Sequence, residues 1–225
     1  MGRAKEIIVK VIPSKIANEF VKKTHYSGKV VPNSQLHFGC FLDKKMHGVM
    51  SYGCPFMKTK VLQLVENTGW NEMLELNRMA FDEYLPKYSE SRCIAISIKL
   101  LKKNAPHIKW ILSFADGTQC GDGTIYRASG FKLTSITKNN SIIKLLDGKI
   151  VASMTYTKGK HILKQGGRAG VPEGAEKLQG KQLRYIYLID KNCKITVPIL
   201  PFSKIDEMGA GMYKGEKITV AERKE

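Results

Sequence analysis

The chain has 225 residues, of which 43% are hydrophobic and 25% are charged, which is the composition of an ordinary globular protein. Its formal net charge of +17 favours a polyanionic partner, nucleic acid before an anionic membrane surface. No segment is apolar for long enough to span a bilayer and none resembles a signal peptide, so we expect a cytoplasmic protein with no membrane partner. The five cysteines form no Cys-x-x-Cys pair, which argues against a zinc ribbon or a disulfide framework.

The first third of the chain predicts a strand, a helix and a hairpin. Residues 7–12 form an apolar run typical of a strand, and a helix with Ser14 as its cap follows directly. That helix ends in the polar run 24–28. Residues 36–42 and 49–54 then read as two strands joined by a tight turn.

The next segment predicts a crossover between two parallel strands. Residues 55–71 have the mixed character of a short helix or an insertion. A strand at 73–81, a helix that begins at Ser89 and ends at 104–106, and a buried strand at 110–112 follow. A strand, a helix and a strand with short connections form a right-handed crossover, so the two strands should be parallel neighbours.

Polar residues follow the buried strand at 110–112. Ser113 and Asp116 lie at its carboxyl end, where open α/β sheets place their ligands, and a glycine-rich turn leads into a short helix that carries Tyr126. Asp116 is therefore a candidate catalytic residue, although aspartate also commonly forms turns before glycine. Tyr126 is a candidate for the same site, or else a core aromatic residue with a solvated hydroxyl.

The composition changes at residue 147, which suggests a core of residues 1–146 and an appended region of residues 147–225. A strand at 132–137 precedes this change and another follows at 185–189. Residues 158–181 contain six glycines and few apolar side chains, so this segment should not form part of a core. Its basic residues form either a solvated loop or a flexible DNA-binding segment that becomes ordered on phosphates, through Lys158, Lys160, Lys164, Arg168, Lys177 and Lys181.

Two further places carry residues with chemical potential. His25 and Tyr26 end the first helix, where a lone histidine often only complements the helix dipole. No pair of histidines has the spacing of metal ligands, but His25 and Asp116 with a tyrosine oxygen would suit iron or another divalent transition metal better than calcium. The helix start around Ser91 and Arg92 offers amides that could receive an anion, or is an ordinary helix start.

Four segments together resemble a known fold. ELNRMAF, SESR, SFAD and GTIYRASGF occur in this order and resemble the GCN5-related N-acetyltransferase fold, and more closely the Mom family of bacteriophage DNA-modification proteins. The resemblance extends over roughly residues 5–190. It implies an α/β fold with a mixed central sheet flanked by helices. It also implies an enzyme that converts adenine in double-stranded DNA to its N6-carbamoylmethyl (acetamido) form, which protects the DNA from host restriction.

The resemblance also implies roles for individual residues. His25, Tyr26 and Asp116 would hold or surround an iron ion, and Ser113 and Tyr126 would line the donor pocket. Arg92, with Ser91 beside it, falls at the helix start that faces the donor in acetyltransferases. The glycine-bearing pyrophosphate loop of acetyltransferases is missing between residues 81 and 89. Acetyl-coenzyme A and a glycine-derived donor therefore both stay open.

Two other functions are compatible with the same sequence. The first is an N-acetyltransferase that acts on a small amine or a basic protein. This function predicts a glycine-bearing phosphate loop, which the chain lacks, and it does not predict the surplus of positive charge. The second is a non-catalytic DNA-binding protein on the same fold, in which substitution of His25, Tyr26 or Asp116 would be silent. A phage enzyme would work in the host cytoplasm. Its oligomeric state is left open, a homodimer included.

Overall fold

A computed structural model describes residues 2–118, 121–153 and 172–210, and the backbone of residues 212–213 and 216–217. The chain divides into two compact units. The larger contains Met1–Phe114, Ile125–Thr134 and Tyr185–Ile199. The smaller contains Ala115–Thr124, Ser135–Arg184 and Leu200–Glu225. The predicted boundary at residues 146 and 147 falls inside the smaller unit, and the packing of residues 147–225 on a core of residues 1–146 stays a prediction.

The main sheet has seven strands in the order β1-β2-β3-β4-β5-β10-β6. Strands β1 to β4 pair antiparallel, and β4 pairs parallel with β5, as the predicted crossover requires. The predicted hairpin is also confirmed, as β2 and β3. The seven strands are β1 (Ile8–Val11), β2 (Ser34–Leu42), β3 (Lys45–Gly53), β4 (Met73–Phe81), β5 (Trp110–Asp116), β6 (Lys132–Asn139) and β10 (Gly180–Leu188).

The smaller unit contains two minor sheets. One pairs β7 (Ile142–Lys144) with β8 (Ile150–Ala152) and with β9 (Glu176–Lys177). The other pairs β11 (Met212–Tyr213) with β12 (Glu216–Lys217). The described helices are α1 (Ser14–Thr24), α2 (Lys58–Leu62), α3 (Ser89–Asn104), α4 (Thr124–Ala128) and α5 (Ser203–Glu207), and a 3-10 turn spans Arg3–Glu6.

Helix α1 differs from the prediction at its start. Ser14 is the first helical residue rather than the cap, and Pro13 takes the cap position with φ of −61° and ψ of 145°. Proline suits a helix entrance because its ring fixes φ and it has no N–H to satisfy. At the other end, the backbone N–H of His25 donates to the carbonyl of Val21 and ends the helix.

Two apolar clusters lie on one face of the main sheet. Helix α1 contacts β2, β3 and β4, and its Ala17 and Val21 form a cluster with Val49 and Ala80. A second cluster forms around Met73, Trp110, Leu112 and Ile186, covered by residues of the β3–β4 connection. Met73 and Ala80 of β4 belong to these two clusters, and a polar stretch lies between them along the strand.

Helix α3 packs on the opposite face. The buried Tyr52 of β3 and the buried Ser97 of α3 bring their hydroxyl oxygens to 2.6 Å. Burial raises the pKa of the Tyr52 hydroxyl above its ordinary value, so this hydroxyl is protonated at neutral pH. The hydrogen bond satisfies both polar groups and ties the helix to the sheet.

Candidate functional site

The polar stretch on the α1 face consists of Ser34, His37, Ser51, Glu75 and Arg78, which we call the polar floor. His37 pairs with Ser51 across β2 and β3, and Ser51 pairs with Arg78 across β3 and β4. Ser34 pairs with Gly53, which pairs with Glu75. Laterally paired residues present their side chains on the same face of a sheet, so these two rows lie side by side.

A β-bulge at Asn77 places Glu75 and Arg78 on one face. Ser51 pairs with Arg78 and the next residue, Tyr52, pairs with Leu76, so β4 advances two residues while β3 advances one. An extra residue in a strand reverses the alternation of side chains beyond it. Glu75 and Arg78 would otherwise point to opposite faces.

The polar floor and the end of α1 have strongly perturbed protonation. Burial raises the pKa of Glu75 to about 7, against an opposing effect of the Arg78 charge. Burial, together with the Arg78 charge, lowers the pKa of His25 to about 3. At neutral pH the imidazole of His25 is therefore uncharged, and Glu75 exchanges its proton near neutrality. Perturbed groups of this kind concentrate at functional sites.

His37 and Ser51 form a buried pair at the centre of the floor. The Nδ1 of His37 lies 2.8 Å from the Ser51 hydroxyl oxygen. Burial lowers the pKa of His37, so this imidazole is also neutral. Among the described residues its Nε2 has no hydrogen-bond partner. Such buried polar atoms are uncommon in folded proteins and often mark places where water or a ligand binds.

The predicted pair His25 and Tyr26 lies at the end of α1, in the larger unit. The two rings have centroids 4.2 Å apart, and Tyr26 is 52% exposed. The backbone N–H of Ser27 donates to Nδ1 of His25 at 3.1 Å, and the Ser27 hydroxyl lies 2.8 Å from the same atom. Because Nδ1 accepts a hydrogen bond and the ring is neutral, Nε2 carries the hydrogen.

The hydrogen bonds of His25 can be compared with those expected of a histidine in the iron site that the resemblance implies. A histidine that binds a metal through Nε2 normally donates from Nδ1 to an acceptor, which is the reverse of the His25 arrangement. The positive charge of Arg78 also acts on His25. As placed here, His25 does not fit a divalent cation. Within the described ranges, no group of three or more His, Cys, Asp or Glu side chains is arranged to hold one. The iron assignment stays a prediction.

Asp116 ends β5 in the smaller unit and forms the turn that follows. Its Oδ1 accepts from the backbone N–H of Thr118 at 3.0 Å and from the amide of Asn139 at 3.4 Å. The adjacent Gly117 donates its N–H to the Lys181 carbonyl. An added Cβ at Gly117 would lie 2.6 Å from the carbonyl oxygen of Ala210, so only glycine fits there. This is the local geometry of an aspartate that forms a turn, and it leaves the predicted catalytic role untested.

Ser113 and Tyr126, the predicted donor-pocket residues, are both buried in the larger unit. The Ser113 hydroxyl donates to the Leu76 carbonyl at 2.9 Å and so bridges β5 and β4. The Tyr126 ring packs against Phe131 and Tyr185, with centroid distances of 5.5 and 5.2 Å.

Ser91 and Arg92 lie in the first turn of α3, as predicted. The guanidinium of Arg92 donates to the Lys5 carbonyl at 3.0 Å, and the Ser91 hydroxyl donates to the Tyr88 carbonyl at 3.2 Å. Tyr88 takes the cap position with a left-handed φ of 71°, a conformation that bulky residues rarely adopt. Arg92 therefore has a structural role, whatever it contributes to donor binding.

Only two of the six predicted DNA-binding residues can be located. Lys177 is exposed on β9, and Lys181 is half-buried on β10. The other four, Lys158, Lys160, Lys164 and Arg168, lie outside the described residues. Within the part of the chain that the structure covers, no helix is long and apolar enough to cross a bilayer.

The sequence reasoning missed Glu75, Arg78 and His37. A signal for the first two was present, because the strand read as ELNRMAF carries three polar residues where a central strand should be apolar. Their juxtaposition with His37 was not readable. It depends on the bulge at Asn77 and on the pairing of β2 with β3.

Comparison with known proteins agrees with the fold and with the earlier resemblance. The spermidine/spermine N-acetyltransferase of Vibrio cholerae is 8% identical, with a TM-score of 0.50 over 85% of this chain and 97% of that one, and it shows the fold alone. The methylcarbamoylase Mom of Escherichia phage Mu is 32% identical over 197 residues, which cover 85% of this chain and 79% of the relative. The model of the Mom protein family matches residues 6–204. This chain has the N-acetyltransferase fold and belongs to the Mom protein family.

Proposed function

We propose that the chain is a transferase that converts adenine in double-stranded phage DNA to its N6-carbamoylmethyl form and so protects the DNA from host restriction. The observation that carries this proposal is the 32% identity to the phage Mu methylcarbamoylase over most of both chains. The net charge of +17 supports a polyanionic substrate. The host cytoplasm, where phage DNA is replicated, would be its place of action.

The reaction sets two requirements on the protein. The N6 amine lies inside the base pair, so the enzyme must extrude the base to reach it. The amine is also a weak nucleophile because its lone pair is delocalised into the ring. When the new N6–carbon bond forms, the nitrogen must release a proton, so the site needs a proton acceptor.

We assign the proton acceptor to Glu75. Its pKa of about 7 suits a base that works near neutral pH, since a base is most effective when its pKa is close to the operating pH. Arg78, on the same face of β4, supplies positive charge for a leaving group or for the charged form of Glu75. His25 stays uncharged and borders the same charge.

For the donor, we propose that Ser113, Tyr126, Ser91 and Arg92 line or approach its pocket. A glycine-derived donor that ends in a carboxamide supplies both carbons and the amide nitrogen of the carbamoylmethyl group. Acetyl-coenzyme A has no nitrogen in its acetyl group, so with this donor a second, nitrogen-supplying co-substrate would be required. Asp116 is proposed as a catalytic group that acts through its negative charge. Neither the proposed donor binding nor the proposed catalytic role of Asp116 depends on a metal ion. Elemental analysis of the purified protein tests the iron prediction separately.

The test is mass spectrometry of nucleosides from plasmid DNA in cells that express the chain. We expect a modified deoxyadenosine heavier by the mass of a carbamoylmethyl group in place of one hydrogen. Glu75→Gln should lower its yield about 100-fold or more, the usual range for losing a general base. Ser203→Ala, an exposed control, should leave the yield unchanged.

Two results would contradict the proposal. Unmodified DNA together with an acetylated small amine would favour the small-molecule acetyltransferase. Unmodified DNA together with strong duplex binding, unchanged by Glu75→Gln, would favour the non-catalytic DNA-binding protein.

A further inference from the structure

Two asparagines beside the polar floor each have one buried amide atom without a hydrogen-bond partner among the described residues. These atoms are Oδ1 of Asn33, an acceptor, and Nδ2 of Asn77, a donor. A buried polar group without a partner is costly, and native proteins contain few of them. The presence of a complementary pair in one cluster therefore requires an explanation.

The other half of each amide is fixed by the fold. The amide nitrogen of Asn33 donates to the Cys54 carbonyl, and this carbonyl can only accept, so the oxygen of Asn33 must face away from it. The oxygen of Asn77 accepts from the Ser34 hydroxyl at 2.8 Å. Because Asn33 directly precedes Ser34, the unpaired acceptor and the unpaired donor belong to one connected cluster.

The local backbone creates this arrangement. Gly53 pairs with both Ser34 and Glu75, and a Cβ at Gly53 would lie 2.0 Å from the Asn33 carbonyl oxygen. Only glycine lets the strand that carries Asn33 approach so closely. The bulge at Asn77 then turns that residue out of the regular alternation of β4.

We propose that Asn33 and Asn77 read the Watson–Crick edge of the extruded adenine, an inference that rests on the proposed function. Asn77 would donate through Nδ2 to ring N1, and Asn33 would accept one N6 hydrogen at Oδ1. The second N6 hydrogen is then available to Glu75, which pairs with Gly53 in the same cluster. Thymine and guanine present an N–H at the ring position where adenine has an acceptor, so both would oppose Asn77.

The test measures base preference in binding, independently of catalysis. The probes are single-stranded oligothymidylates whose central residue is dA, dT or deoxynebularine, which keeps N1 and lacks the N6 amine. We expect the intact chain to bind the dA probe about 10-fold more tightly than the dT probe, within the range of a paired base contact, with deoxynebularine between them. Equal affinity for the dA and dT probes would overturn the proposal.

The matched variants are Asn77→Asp and Asn192→Asp, which change the net charge equally. Asn77→Asp replaces the donor with an acceptor and should abolish the preference for dA. Asn192 is exposed on a turn, and its variant should keep the preference. If Asn77→Asp does not fold, as judged by thermal unfolding, Asn77→Ala removes the same donor without a charge and should have the same effect. An unchanged dA-to-dT ratio in a folded Asn77 variant would overturn the proposal.

Two controls separate this proposal from others. Glycinamide offers the same donor and acceptor edge as adenine, as would the carboxamide of the transferred group. Competition by glycinamide that depends on Asn77 would assign the pair to the donor instead, and its absence supports the adenine assignment. If the intact chain prefers the dA probe in an Asn77-dependent way but does not modify DNA, the proposed reaction is wrong and the proposed base recognition is still supported.

Discussion

At the scale of single residues, Arg78 is the charge that Glu75 and His25 share. Its positive charge opposes the raised pKa of Glu75 and contributes to the lowered pKa of His25. Burial is the larger cause in both cases, because a partly dehydrated side chain favours its neutral form. Near neutral pH Glu75 is therefore divided between its neutral and its charged form, and the carboxylate, which is the form that accepts a proton, shares a face of β4 with the positive charge of Arg78.

The raised pKa of Glu75 predicts a specific dependence of stability on pH. The folded state holds this proton up to about pH 7, whereas an unfolded glutamate releases it near 4.5. The stabilising contribution is thus fully present below pH 4.5 and is lost as the pH rises to 7. Relative to the intact chain, the free energy of unfolding of Glu75→Gln should therefore increase by at most about 3 kcal/mol across this interval, at 1.36 kcal/mol per pKa unit. Urea unfolding at a series of pH values measures the difference.

The lowered pKa of His25 predicts the opposite dependence of stability on pH. Its folded pKa of about 3 lies below the ordinary value of 6.5, so its contribution is present above pH 6.5 and is lost as the pH falls. Between pH 4.5 and 6.5 the two slopes cancel in the intact chain. In Glu75→Gln only the slope of His25 remains, so a variant whose stability does not rise with pH in this interval would contradict the burial of His25.

Asp116→Asn separates a turn residue from a catalytic one. The asparagine oxygen can still accept from the Thr118 N–H, so the melting temperature should change little. If the negative charge acts in catalysis, the modification yield should fall by about 100-fold, the usual scale for loss of a preorganised electrostatic group. Nucleoside mass spectrometry and thermal unfolding of the same protein measure both. A normal yield would reduce Asp116 to its turn-forming role.

At the scale of elements, the polar floor is a property of three paired strands and one helix end. β4 carries Met73 and Ala80 in the apolar clusters and Glu75 and Arg78 between them. α1 covers one cluster and ends at His25, whose pKa responds to the charge of Arg78 in the polar floor. The bulge in β4 then selects which polar side chains share this face.

The close approach at Gly53 gives an element-scale prediction. Gly53→Ala would place a methyl group against the Asn33 backbone, so β2 and β3 must separate. We expect a loss of about 1–3 kcal/mol in the free energy of unfolding, as for other overpacked sites. Gly69→Ala is the control, because its methyl group meets only the end of the Glu72 side chain, at 3.3 Å. Equal stability of both variants in urea would show that the strands can part without cost.

At the scale of the whole molecule, the positive charge should govern DNA binding. Affinity for duplex DNA should fall steeply with salt, because each neutralised phosphate releases counterions. Substituting Lys160, Lys164 and Arg168 with alanine should reduce the slope of log K against log salt by up to about 3, near 0.9 for each lost phosphate contact. Filter binding or fluorescence anisotropy over a range of salt concentrations measures this slope.

The control removes the same charge from another place. Lys99, Lys102 and Lys103 are exposed on α3, and their alanine variant loses three positive charges from a helix. This variant should keep the slope of log K against log salt that the intact chain shows, if residues 158–181 make the phosphate contacts. Equal slopes for the two triple variants would show that only the net charge matters, and salt-independent binding would remove the electrostatic basis of the proposal.

The sequence alone determined the order of the main elements and the fold. The hairpin, the strand–helix–strand crossover and the short helix at Tyr126 all follow from local patterns, because hydrophobic period and turn residues act over a few positions. The ends of the helices and strands were predicted less accurately. Ser14 is the first residue of its helix rather than the cap, and β10 begins at Gly180 rather than near Tyr185. The segment ELNRMAF was identified as a strand, although its polar residues were not recognised as a site.

Only the tertiary structure decided which residues face each other. The bulge at Asn77 depends on how β4 pairs with β3, and the burial of Glu75 and His25 depends on how α1 and two apolar clusters cover the sheet. A strand sequence shows that side chains alternate, but it does not reveal where the alternation slips. Burial and nearby charge, which set the pKa values of His25 and Glu75, are properties of the assembled sheet and cannot be read from either residue's neighbours in the chain.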